Sequence, residues 1–185
     1  NIAKYPSIWC TFGSLWTKTI DINEYLIEDK GYSQEEVDKY SDGIEFKYQN
    51  CYQGLLHSSK GQVVDFFLSS NDQASSSIYD FSKDFKNKKL FFQNIQRNIS
   101  MTDKIKLETQ TLDDLIIKNN IDIKKFNHWV IDVQGAELEV LKGSRDSLKS
   151  CKSITVEVST ENFYKEGSSY NSIKEFLSTM NFIAI

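Results

Sequence analysis

The run His128-Trp129-Val130-Ile131-Asp132-Val133 constrains this chain more than any other segment. It is apolar, rich in β-branched and aromatic residues, and closes on an acid. A strand covered on both faces reads this way. Only Gln134-Gly135 separates it from a helical pattern over residues 136–148, where Leu138, Leu141 and Leu148 share a face. A reversal that short favours a residue without a side chain, and Gly135 supplies one.

The neighbouring segments repeat the alternation. Thr111, with Asp114 three residues on, predicts a capped helix with Leu112, Leu115 and Ile116 facing inward. Residues 153–158 read as a strand, and residues 171–180 as a helix with Ile173, Phe176, Leu177 and Met180 on one stripe. Helix, strand, helix, strand, helix is the order of a mostly parallel sheet with helices on its faces. Upstream the pattern is weaker. Residues 33–40 open with capping-box spacing and predict a short helix, residues 44–56 and 63–68 predict strands, and residues 69–77 form a polar loop. Residues 82–100 read as a surface connection with a strand at its end. A single α/β domain over residues 1–185 is the expectation.

Composition narrows the function. A net charge of −4, a pI near 5.3 and only Arg97 and Arg145 as arginines argue against nucleic-acid recognition. No stretch approaches the roughly 20 apolar residues of a membrane span. Cys10, Cys51 and Cys151 are odd in number and widely spaced, which suits free thiols in a reducing, cytoplasmic setting better than a disulfide framework. His57 and His128 are the only histidines, so a histidine-based triad or metal cage is poorly supplied.

Ligands of open α/β sheets bind beyond the carboxyl ends of the strands. That rule singles out Asp132 and Glu157, acids near the ends of two predicted buried strands that would aim at one crevice. A structural role for Asp132 is to accept backbone N–H groups at the turn. Glu157 alternates with Ile154, Val156 and Val158, ordinary for a half-solvated strand but in need of a reason in a sheet covered on both faces. Glu137 and Glu139 suit the positive end of the following helix.

These residues resemble a known family. Asp132 to Gly143, reading DVQGAELEVLKG, is similar to the central motif of FkbM-type S-adenosylmethionine-dependent methyltransferases. Thr111-Leu112-Asp113 resembles the family's T-L-D before that strand, and Ser69-Ser70-Asn71 with Ser75-Ser76-Ser77 its serine-rich loop. Glu157-Val158-Ser159, Tyr164 and residues 173–182 resemble its later strand and last helix. The likeness spans residues 50–182 and leaves 1–49 as an unrecognised cofactor-side region. It implies a class I, Rossmann-like methyltransferase fold, incomplete at both ends, and methyl transfer from S-adenosylmethionine to a hydroxyl of a sugar, glycan or natural product. In that analogy Asp132 faces the methyl group as proton acceptor, and Glu157 is a second polar contact. Ser75, Ser76, Ser77 and Gln134 would meet substrate. Gly13, Asp21 (or Glu24) and Asp72 would meet the cofactor. No G-x-G-x-G turn occurs; Ser7 to Ser14 carries a single glycine.

Two other functions stand beside this one. A non-catalytic α/β module could keep the scaffold and bind a glycan or protein partner in the same crevice. A Mg²⁺-dependent hydrolase would use Asp132, Glu157 and Asp72 as ligands.

Overall fold

Trp129 and Ile131 are fully buried, and they anchor a parallel sheet. In the computed structural model, residues 7–11, 52–71, 73–83, 85, 99–159 and 163–185 are described, residues 7–11 by their backbone alone. The chain divides into two compact units, and the one made of Lys4–Gly13 and Gly54–Ile185 holds both sheets.

The first sheet has the order β1-β5-β6, with β1 Ser7–Thr11, β5 His128–Asp132 and β6 Ser153–Val156 all parallel. Its register pairs Thr11 with Asp132 and Ile131 with Val156. The second sheet is mixed, in the order β2-β4-β3: β2 Leu55–Leu56 runs parallel to β4 Met101–Gln110, while β3 Val63–Ser69 is antiparallel to it. The α/β expectation therefore holds, but among the described residues the strands form two small sheets, one parallel and one mixed. The strand expected at the end of residues 82–100 lies just beyond them, as β4, and is longer than the residues suggest. Its Lys104, Lys106 and Glu108 point to solvent and Thr109 to the interior, so charge hides the period-two pattern. The helix expected over residues 33–40 and the start of the strand over 44–56 lie outside the described residues.

Among the described residues the α-helices around these strands are α1 Leu112–Lys118, α2 Glu137–Lys142, α3 Arg145–Leu148 and α4 Tyr170–Thr179. Thr111 Oγ1 accepts the Asp114 N–H at 3.0 Å and caps α1 as its spacing predicts. Ser169 and Ser172 form a capping box on α4. Leu112, Ile116, Trp129, Ile131, Val140, Leu141 and Ile173 join one core. Each such side chain contributes roughly 1.5–3 kcal/mol of burial. The buried Trp129 indole N–H donates to Phe126 O at 3.2 Å and so keeps its polar partner.

The single helix expected over residues 136–148 is broken at Gly143-Ser144. A Cβ on Gly143 would stand 2.1 Å from the His57 carbonyl oxygen, so the close approach of the segment after β2 excludes any side chain there. The Gly143 carbonyl accepts the Asp113 N–H at 3.1 Å. The Asp113 carboxylate in turn takes the Asp146 N–H at 3.0 Å and the Ser147 N–H at 2.9 Å. It caps α3 from another helix, because Ser144 makes no side-chain cap of its own.

Nearby, Glu139 receives the Ser58 hydroxyl and the Lys142 ammonium (2.8 Å), and lies 3.6 Å from His57 Nε2. Burial works against its ionised form, but Lys142 and Ser58 outweigh it and hold the carboxyl below its usual range. The Cys151 thiol is free, and burial pushes it up to about 11, which leaves it unreactive. Among the described residues no helix is long and apolar enough to cross a membrane.

Gly143→Ala should lower stability by about 1–3 kcal/mol, because a backbone oxygen cannot retreat as a flexible side chain would. Chemical denaturation measures this, and an unchanged midpoint and slope would show that the approach relaxes freely.

Candidate active site

The turn after β5 sets the site. Gln134 and Gly135 both adopt left-handed conformations, with φ of 54° and 97°. Two such residues in succession turn the chain from the strand end into α2 within the length of the loop. The buried Glu137 closes the turn: its Oε1 accepts the Gly135 N–H at 2.9 Å and the Val133 N–H at 3.4 Å. Burial raises the Glu137 carboxyl, and these N–H groups draw it back. Ser168 braces the same turn from outside, donating to Gly135 O and accepting the Leu138 N–H, both at 2.9 Å.

Asp132 and Glu157 stand side by side. The Glu157 N–H donates to Ile131 O at 2.9 Å, which extends the parallel ladder one step past β6 and brings its side chain to Asp132. The two carboxyls share a hydrogen bond, and this contact is the main cause of a Glu157 carboxyl pushed up to about 7; desolvation and the charges of Asp132 and Glu137 add to it. Glu157 is itself exposed, so its elevation reflects the neighbouring carboxylate more than burial. Two acids thus stand together at the carboxyl end of a parallel sheet, and Glu157 holds its proton more tightly than an ordinary carboxyl does.

The serine loop comes to the same place. Ser77 Oγ donates to Gln134 O at 2.7 Å, and the Tyr164 hydroxyl lies 3.1 Å from both Ser75 O and Gln134 Oε1. Gln134 Nε2 donates to Asp132 Oδ1 at 2.8 Å. Ser76 and Ser77 are buried, and Ser76 Oγ accepts the Ser69 N–H at 3.0 Å, so these two hydroxyls fix the loop. Ser75 retains contact with solvent. Gly13, Asp21, Glu24 and Asp72 lie outside the described residues. Among the described residues, no group of three or more His, Cys, Asp or Glu is placed to hold a metal ion.

Tyr164 and Ser168 enter this site without having been singled out as site residues. Both sit in an aperiodic segment, Phe163 to Ser169, and they reach Gln134 and Gly135 from thirty or more positions away. Only the packing of that segment over the turn reveals them. A Cβ on Gly135 would meet Tyr164 Cδ2 at 2.8 Å, so the tyrosine ring lies on the turn itself.

With this geometry in hand, the class is an α/β protein with an acidic strand-end site. The methyltransferase FkbM domain matches residues 37–184. The match covers most of the chain, and the protein belongs to the FkbM methyltransferase family. No curated protein and no solved structure matches it.

The carboxyl pair makes stability depend on pH. Glu157 binds its proton more tightly folded than unfolded, so its contribution is present below the ordinary value of 4.5 and is lost as pH rises through about 7. Thermal melts across that interval should show the parent losing more stability than Glu157→Gln. Parallel curves for the two proteins would mean that Glu157 does not hold its proton more tightly when folded.

Proposed function

We propose that this domain is an S-adenosylmethionine-dependent O-methyltransferase that acts on a hydroxyl of a sugar, glycan or related natural product. The observation that carries the reading is the Asp132–Glu157 pair at the ends of adjacent parallel strands, next to the end of β1. The family membership supplies the reaction class, and the acids suit its chemistry. Two carboxyls at adjacent strand ends place negative charge there, which attracts a cationic sulfonium donor. Thr11, the last residue of β1, pairs with Asp132, two positions before Gly13 in sequence. Gly13 and Asp72 are the proposed cofactor contacts.

S-adenosylmethionine, when bound, supplies an electrophilic methyl group and leaves as the thioether. Asp132 accepts the proton of the acceptor hydroxyl as its oxygen becomes the nucleophile, and orients that oxygen for in-line attack. Glu157 stands beside Asp132, and when it gives up its proton it adds negative charge where the acceptor hydroxyl is to lose its own. Transfer should therefore rise as pH climbs through about 7, and Glu157→Gln should flatten that limb. Ser75 and Gln134 border the approach to the acids, and they are the proposed substrate contacts, with Ser76 and Ser77 fixing the loop behind them.

Calorimetric titration of the chain with S-adenosylmethionine and S-adenosylhomocysteine tests the cofactor. Binding is expected; a folded chain that takes up neither would make the domain a binding module for a glycan or protein. With a panel of sugar acceptors, Asp132→Asn should keep the fold and lower S-adenosylhomocysteine release by about 10²-fold or more. Unchanged release would remove Asp132 from the mechanism.

A further inference from the structure

An aspartate at a strand end turns about two side-chain torsions unless a neighbour fixes it. At Asp132 the neighbour is Gln134, whose Nε2 donates to Asp132 Oδ1 at 2.8 Å. That bond directs the carboxyl whichever protonation state Asp132 adopts, because an amide N–H needs only an acceptor oxygen. A long amide side chain can direct another group only if it is itself held, since its own freedom is lost on ordering.

Gln134 is held at its backbone and at the far end of its side chain. Its carbonyl accepts the Ser77 hydroxyl at 2.7 Å, and its Oε1 lies 3.1 Å from the Tyr164 hydroxyl. Ser77 is fully buried and is bound to β3 through its backbone: Phe67 N–H donates to Ser77 O at 2.7 Å, and Ser77 N–H to Phe67 O at 3.1 Å. The backbone of Gln134 is therefore tied to the second sheet.

Tyr164 is fixed from a third direction. Its ring fills a slot between two glycines: a Cβ on Gly135 would stand 2.8 Å from Tyr164 Cδ2, and one on Gly167 would stand 3.2 Å from Tyr164 Cβ. Phe81 packs on the ring with centroids 5.5 Å apart, and Phe81 and Tyr164 form an isolated antiparallel bridge. Two backbone bonds flank that bridge, Ser82 N–H to Phe163 O at 2.8 Å and Lys165 N–H to Asp80 O at 2.9 Å. The hydroxyl also lies 3.1 Å from Ser75 O, so it stands between the serine loop and the glutamine.

We infer that Tyr164 is a positioning residue for the transfer reaction: acting through Gln134, it holds the Asp132 carboxyl in one direction at the strand end. The inference rests on the reading of Asp132 as the group that meets the acceptor hydroxyl. A small misdirection of such a group lowers turnover while leaving the binding contacts in place. Tyr164 itself needs no contact with substrate.

NMR of the full chain, with neither donor nor acceptor added, reads the direction of Asp132 from the three-bond couplings of its α and β protons. The parent should show one χ1 rotamer. Tyr164→Phe keeps the packed ring and removes the hydroxyl; Gln134→Gly keeps the left-handed turn and removes the amide. Both should spread Asp132 over two or more rotamers. The double variant should spread it no further than Gln134→Gly, because the tyrosine acts through the glutamine. With S-adenosylmethionine and a panel of sugar acceptors, Tyr164→Phe should lower kcat by about tenfold, the scale of one hydrogen bond, at an unchanged acceptor KM. Several Asp132 rotamers in the parent, or one unaltered rotamer in both variants, would overturn the inference. So would a Tyr164→Phe that raises KM at constant kcat, or that loses only stability. Full turnover by Asp132→Asn would instead overturn the base assignment while the couplings stood.

Discussion

Everything at the site depends on a reversal between β5 and α2 that uses two left-handed residues. Strand ends in α/β sheets are where side chains and ligands meet, but they meet only if the chain leaves the strand without covering it. Here Gln134 and Gly135 turn it aside at once. Glu137, reaching back from α2 to the N–H groups of Gly135 and Val133, satisfies donors that such a turn would otherwise leave buried and unpaired. The carboxylate is therefore structural, although it stands one turn from two acids of a different character. Glu137 is buried among N–H donors, whereas Glu157 is exposed beside a like charge, and opposite environments give chemically identical groups separate tasks.

The parallel register does the rest. Ile131 opposite Val156 places Asp132 and Glu157 at the next step, and the Glu157 N–H on Ile131 O prevents the second strand from drifting away. A one-residue slip would turn one of the acids to the opposite face. The apolar side of the same strands, Trp129 and Ile131, is fully buried, so hydrophobic burial fixes the register and the register fixes the distance between the acids. Core packing and site geometry are set by one choice of alignment.

Much of this was legible in the residues. The strand–turn–helix around Gly135 and the cap at Thr111 follow from local pattern, because each is decided by neighbours in sequence. The family likeness rested on the same stretch, and the domain match extends beyond it to residues 37–184. What pattern did not give was whatever depends on contacts between distant segments. The charged β4 pairs antiparallel with β3 although neither announces a partner. Residues 136–148 have an unbroken helical period, yet the His57 carbonyl pressing on Gly143 and the Asp113 carboxylate across the gap divide them. Tyr164 had a place in the family resemblance but no role, since its hydroxyl acquires meaning only where it meets Gln134.

Position 134 shows how these levels interact. A glycine there would relieve a left-handed backbone worth roughly 1–3 kcal/mol of strain. A glutamate would set a third carboxyl against Asp132 and Glu157. Glutamine accepts the strain, adds no charge and donates to Asp132 through Nε2. Its other end is fixed by a tyrosine that packs where Gly135 has no side chain. The absence of a Cβ at 135 thus has two consequences: it permits the turn, and it makes room for the ring whose hydroxyl orients the amide beside the acid.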